Sequence, residues 1–324
     1  MTTPLIDHIL DLSRQNSLGP LSPWFADQIQ KRVQTGFYAE PDVLRKDLDG
    51  LVERLRNYST TSGRSTVVIG ISGGVDSALT AALFRDAGWR VRGFTLPIEQ
   101  NPEETARGVE ACAQLGIDHT QIDLTPQYRS MVNGLAALDP DMGADDAQTR
   151  IRRGNMRARL RMITLYDQAH RFGGVVGSTD NLSELSAGFW TLNGDVGDVA
   201  PVQALLKSWE VPWMAREIGV PESVWRATPT DGLGISAGDE AQLGATYLQW
   251  DLMILAMAES AETEKGFTEL QAGFASDPDA QSVFEQVSNR MRRTAFKRRG
   301  TLRLDHPRQA RYAALDRVDA LLAG

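Results

Sequence analysis

The chain has 324 residues, of which 42% are hydrophobic and seven are Trp, enough for one large domain or two ordinary ones with a buried core. Lys and Arg number 34 against 42 Asp and Glu, so the net charge is −8 and the pI near 5.2, which gives no global attraction for a nucleic-acid backbone. The single cysteine, Cys112, excludes intrachain disulfides, thiolate zinc clusters and C-x-x-C redox chemistry.

From Met1 to His8 and Leu10 there is no basic leader, and no later run approaches the roughly 20 apolar residues that span a bilayer. A soluble cytoplasmic protein without membrane or nucleic-acid partners is the expectation. Residues 1–62 read as a helical N-terminal extension, with Leu44, Leu48, Leu51 and Leu55 at helical spacing and a break at Thr60-Thr-Ser-Gly63. Strand 67–71, helix 76–87, strand 90–96, helix 102–115 and strand 119–124 then alternate as in a parallel α/β sheet, whose ligands sit at the C-terminal strand ends. A helix over 147–172, a strand at Gly173–Thr179 and a helix with an acidic face over 258–289 complete the pass. Residues 63–255 form the expected core, and 256–324 a helical and basic C-terminal segment.

The first strand empties into Gly70-Ile-Ser-Gly-Gly-Val-Asp-Ser77. Gly73 and Gly74 remove the Cβ atoms that would block backbone approach, and successive N–H groups with the positive end of the next helix favour a polyanion. Asp76 beside a phosphate calls for a cation between them, which marks it as a magnesium ligand. Neither G-x-x-x-x-G-K-[ST] nor G-x-G-x-x-G is present here. S-G-G-x-D-S after a strand resembles the phosphate loop of the N-type ATP-pyrophosphatases. Further on, Arg153, Arg157 and Arg161 share one helical face, which either clamps phosphates or is a solvated basic surface. The scattered His8, His119, His170 and His306 suggest no metal site.

Taken with S-G-G-V-D-S, the segments R-G-N-M-R-A-R-L-R-M, Gly177–Asp195, Lys207, Ala227-Thr-Pro-Thr230 and Asp239-Glu-Ala-Gln-Leu-Gly-Ala-Thr-Tyr247 resemble the ammonia-dependent NAD synthetases over about residues 65 to 250. That resemblance implies a Rossmann-like parallel sheet flanked by helices, of the adenine nucleotide alpha hydrolase type. It implies adenylation of the nicotinate carboxylate of deamido-NAD by ATP with Mg2+, then displacement of AMP by ammonia. Residues Gly70, Ile71, Ser72, Gly73, Gly74, Val75, Asp76 and Ser77, with Thr179, Lys207 and Thr230, would hold ATP. Asp76 and Glu184 match magnesium ligands; Asp76 and Lys207 are the catalytic candidates, and Arg159, Lys297 and, with one residue deleted before it, Asp198 match acceptor contacts. A homodimer with dinucleotide sites at its interface is implied as well.

The match departs from the family on the acceptor side. Where the family carries F-F-T-K-Y-G-D this chain has Phe189-Trp-Thr-Leu-Asn-Gly-Asp195, so Leu192 replaces a substrate-binding lysine. A His-Lys pair becomes Phe296-Lys297, a frequent Glu is Gln242, and Asp231-Gly-Leu-Gly-Ile-Ser236 is glycine-rich where A-D-L is common. Either Arg157, Lys297 and Arg298 compensate, or a different carboxylate is amidated; a noncatalytic nucleotide-binding regulator is the reading from another class. Cys112 reads as a buried small apolar residue in a helix, leaving free ammonia, or ammonia from a separate protein, as the nitrogen source.

Overall fold

The computed structural model describes residues 4–15, 19–35, 40–230, 238–300 and 317–318. Ahead of the first strand the described residues fold as helices α1 (Pro4–Leu12), α2 (Pro23–Gln34) and α3 (Pro41–Ser62). Pro opens α2 and α3, where its missing N–H costs no helical bond, and Gly63 closes α3 in the left-handed conformation at φ 67°. Leu44, Leu48 and Leu55 are the buried stripe of α3, as their spacing requires, whereas Leu51 is only partly buried.

Strand β1 (Thr66–Gly70) leads into α4 (Val75–Asp86), β2 (Arg90–Thr95), α5 (Pro102–Leu115), β3 (Asp118–Gln121), α6 (Thr125–Ala136), α7 (Ala147–Arg171) and β4 (Val175–Val176). The strands pair in the order β3-β2-β1-β4, all parallel, with Val67 opposite Val91 and Val175. Because side chains alternate along a strand, Val67 and Ile69 enter a core shared with α1–α5, while Val68 enters a second core with α6 and α7. The sheet is thus covered on both faces, as parallel sheets require. Cys112 lies in the first core, 1% exposed, and burial pushes its thiol up to about 11.

The last strand is shorter than its apolar run. Gly174 and Gly177 flank the paired Val175–Val176 and lie so close to β1 that a Cβ on Gly174 would stand 2.6 Å from the Thr66 carbonyl oxygen. Chain then returns through α8 (Leu182–Ala187), α9 (Glu210–Glu217), α10 (Glu222–Trp225), α11 (Asp239–Leu243), α12 (Tyr247–Ala261), α13 (Phe267–Gly273) and α14 (Pro278–Arg298). The single helix expected over 258–289 is therefore corrected to the end of α12, α13 and most of α14. Gly266 at φ 51° precedes α13, and Pro278 at the start of α14, capped by the Asp277 carboxylate accepting from Ala280 N at 3.1 Å, prevents a continuous helix. Among the described residues no helix is long and apolar enough to cross a membrane.

Candidate active site

A cleft of about 650 Å³ opens at the C-terminal end of β1, where a ligand is expected in a parallel sheet. Its floor is the turn from β1 into α4. Gly73 adopts φ 87°, and a Cβ there would sit 2.0 Å from the Glu104 carbonyl oxygen, so the loop lies flat against the first turn of α5. Ser77 Oγ donates to the Gly74 carbonyl at 3.0 Å and accepts from Ser72 N at 3.2 Å, while Gly74 N donates to Ser72 Oγ at 3.2 Å. These bonds fix the loop, and Gly73 to Ser77, which include the start of α4, line the cleft, so the positive end of that helix stands at its floor.

Asp76, in that first turn, meets the Lys207 ammonium in a direct ion pair and accepts from Asn181 Nδ2 at 3.0 Å. Asn181 also caps α8: Glu184 N donates to its Oδ1 at 3.0 Å, and Asn181 N donates to Glu184 Oε2 at 3.3 Å. One cap residue therefore fixes the spacing of both carboxylates. Burial, and next the negative charge of Asp76, hold the Glu184 carboxyl well above the usual range. Burial pulls the Lys207 ammonium down, but Asp76 and Glu184 outweigh it, and its net shift is upward. Two adjacent hard oxygen donors suit a small divalent cation whose remaining ligands are phosphate and water. Among the described residues no group of three or more His, Cys, Asp or Glu is arranged to hold a metal alone.

Lys207 is itself supported from behind. Its backbone N–H donates to Ser183 Oγ at 3.1 Å, Ser183 donates to the fully buried Asp251, and Asp251 Oδ2 accepts from Ser208 N at 3.0 Å. The ammonium lies 5.7 Å from the Tyr247 ring centre, whose hydroxyl donates to Asp239 at 3.2 Å.

Every expected ATP position, from Gly70 to Ser77 with Thr179, Lys207 and Thr230, lines this cleft, as do Glu184 and Lys297. Lys297 reaches in from α14, donating to the Gly188 carbonyl at 2.8 Å and to that of Trp190. Arg161 lines the cleft too and donates to Leu96 O at 3.0 Å; its helical neighbours turn away, Arg157 to Glu99 at 3.1 Å and Arg153 to Met142 O. Arg298 binds Ser186 O at 2.8 Å. Leu192 is 38% exposed and Phe296 60%.

Arg159 and Asp198 are not among the cleft-lining residues. Arg159 donates to Leu192 O at 3.1 Å, and Asp198 accepts from Tyr166 Oη and Val176 N, each at 2.8 Å. Arg159, Ile163 and Tyr166 follow one stripe of α7, and both Ile163 and Tyr166 are exposed. The acidic residue that does line the cleft in this segment is Asp195, which accepts from Thr191 N at 2.6 Å and whose carboxyl burial pushes up. The segment Phe189–Asp195 aligns with the family without a gap and ends on this residue, but the resemblance carried an acceptor role to Asp198 and none to Asp195. Asp239, Arg290 and Asn155 line the cleft too; Asn155 and Asp239 stand inside segments that carry the resemblance, but no role was attached to them, and Arg290 lies outside those segments. The glycine-rich Asp231–Ser236 lies outside the described residues.

A family model described as NAD synthase matches residues 48–301. The NH(3)-dependent NAD(+) synthetase of Alkaliphilus oremlandii is 34% identical over 207 residues, covering 63% of this chain and 82% of that protein. Among solved structures, the NMN synthetase from Francisella tularensis superposes with a TM-score of 0.66 at 25% identity, covering 82% of this chain and 98% of that one. The NAD+ synthetase from Burkholderia pseudomallei gives 0.58 at 27%, covering 80% and 91%.

Proposed function

This chain belongs to the NAD synthase family, whose reaction is the ATP-dependent amidation of deamido-NAD to NAD, and we propose that the cleft at the β1–α4 turn is where it runs that reaction. The observation that carries the assignment is the convergence of Asp76, Glu184 and Lys207 on the glycine loop. In this reading the acceptor carboxylate oxygen attacks the α-phosphorus of ATP and pyrophosphate leaves. Ammonia then attacks the acyl carbon, AMP leaves with the oxygen, and the nitrogen gives up one proton to solvent to become the amide.

No side chain has to act as nucleophile, so positioning and neutralisation of charge supply the rate. The loop N–H groups and the α4 terminus cradle the phosphates, Lys207 turns its ammonium from Asp76 to a phosphate oxygen, and Thr179 and Thr230 hold the nucleotide. Asp76 and Glu184 would hold Mg2+, which when bound neutralises the phosphate oxygens as a Lewis acid. Lys297 faces the acceptor. Free ammonia, or ammonia from a separate protein, supplies the nitrogen.

A homodimer is part of this proposal, and the stripe Arg159, Ile163, Tyr166 on α7 supports it. A second copy covering that stripe would bury exposed apolar surface and bring Arg159 and Asp198 to the remote half of a dinucleotide. A second acceptor is favoured by the exposed Leu192 in the place of the family's lysine. It is a mononucleotide bearing the same nicotinate carboxylate, as the name of the Francisella relative suggests for that protein.

The test is AMP and pyrophosphate release with Mg2+ and ammonium, with deamido-NAD, the mononucleotide or neither, while the amide product is followed by mass. NAD formed in step with AMP, and lost in Asp76→Ala, supports the proposal. ATP binding without any amide product would overturn it in favour of a regulator.

A further inference from the structure

The family model begins at residue 48, so α1 and α2 lie outside it, yet α1 touches two segments that carry nucleotide-site residues. Ile6, Ile9 and Leu12 are 4%, 0% and 5% exposed and seat the helix in the main core. From that seat His8 meets the Trp209 ring edge-on, with centroids 6.2 Å apart. Trp209 is fully buried and stands two residues after Lys207.

At the C-terminal end of the helix, Asp11 and, in the turn just past it, Arg14 grip a second part of the wall. Arg14 Nη1 donates to Thr228 Oγ1 at 3.0 Å, and Asp11 pairs with Arg226 at 3.2 Å. Thr228 and Thr230 both line the cleft, and Thr230 Oγ1 donates to Glu104 Oε1 at 3.1 Å, so this segment is pinned between α1 and α5. Pro229 O accepts from Asp239 N at 3.4 Å, which brings the start of α11 to the same place, and the charge of Arg14 also acts on Glu240. Arg14 reaches this position in the left-handed conformation, φ 59°, which costs a residue with a Cβ about 1 kcal/mol or more and persists only where neighbours hold it.

We propose that α1 is a brace for the nucleotide site, with Arg14, Asp11 and His8 as positioning residues that hold the Ala227–Thr230 and Lys207–Trp209 walls at the spacing ATP needs. The inference rests on the reading of the cleft as an ATP site. Its effect falls on ATP affinity, since the touched segments carry Lys207 and Thr230 and none of the acceptor candidates. Deleting α1 would uncover core residues and unfold the protein, so point variants carry the test.

The full chain is assayed for AMP release with ATP and deamido-NAD varied separately, and melting is measured on the same samples. Arg14→Ala combined with Asp11→Ala is expected to raise KM for ATP about two- to fivefold, as loss of exposed charged contacts does, with kcat, acceptor KM and melting little changed. Arg14→Lys restores part of the loss, and Lys31→Ala on α2, whose partner is Glu259 at 3.5 Å, changes nothing. Thr230→Ala is the reference. If it raises KM for ATP and the α1 variants do not, or if they lower every parameter together with melting, the brace is overturned. If Thr230→Ala leaves KM for ATP unchanged, the nucleotide assignment itself falls and the brace falls with it.

Discussion

Gly73 carries more of the site than its size suggests. A methyl group there would need a left-handed backbone and would collide with the Glu104 carbonyl, so the loop must lift off α5 to accept it. Gly73→Ala is expected to lower AMP release at least tenfold while the cooperative unfolding transition survives, which activity and melting on one sample would reveal. Asp76 was legible from its place in the first turn after the glycine loop, whereas Lys207 came only with the family resemblance and has no signal of its own in the chain. Asp195 was half-legible: it closes a segment that aligns with the family without a gap, yet only its place in the cleft wall, against Thr191 N, gives it meaning. Asp251 had no local signal, since its meaning comes only from Ser183 and Ser208, far away in sequence.

At the scale of elements, α8 shows how a short helix is used. Asn181 is both its N-cap and a donor to Asp76, so Asn181→Ala is expected to cost about 1 kcal/mol of stability for the cap. Its effect on kcat should exceed that loss, because Asp76 and Glu184 both lose their common reference. Denaturant titration beside steady-state kinetics separates the two; equal small losses would show that Asn181 serves only the helix. The strands and the helices of the sheet were readable because their periods are strong and Gly or Pro punctuates them. The C-terminal helices were not, since the polar composition of 258–289 is uniform while Gly266 and Pro278 break the chain within it. The seat of α1 could not be read at all, because an amphipathic helix names its apolar face and not the surface that receives it.

For the whole molecule, stability and assembly each have a handle. Glu210 opens α9 with its carboxylate accepting from Leu206 N at 2.8 Å, and burial pushes its pKa up to about 7. A carboxyl raised in the folded state binds a proton that the unfolded state has lost. Its stabilising share is therefore full below the ordinary carboxylate range, at about pH 4.5, and is lost as pH rises through 7. Glu210→Gln keeps the acceptor and removes the titration, so urea unfolding should show it more stable than the parent by about 1–3 kcal/mol at pH 8 and little different at pH 4.5. Ile163, 64% exposed on the α7 stripe, tests the proposed dimer: the parent is expected to scatter light as a dimer and Ile163→Glu as a monomer, and a parent of monomer mass would overturn that part of the proposal.

Cys112 makes the protein its own unfolding sensor. The only thiol in the chain is sealed beneath β2, where a Cβ on Gly93 would stand 3.0 Å from its sulfur, and little of it is thiolate at neutral pH. An alkylating reagent can reach it only when α5 lifts from the sheet. The labelling rate under native conditions therefore reads the free energy of that opening directly, with no engineered probe, and saturating nucleotide should slow the rate by the factor with which it binds the closed form.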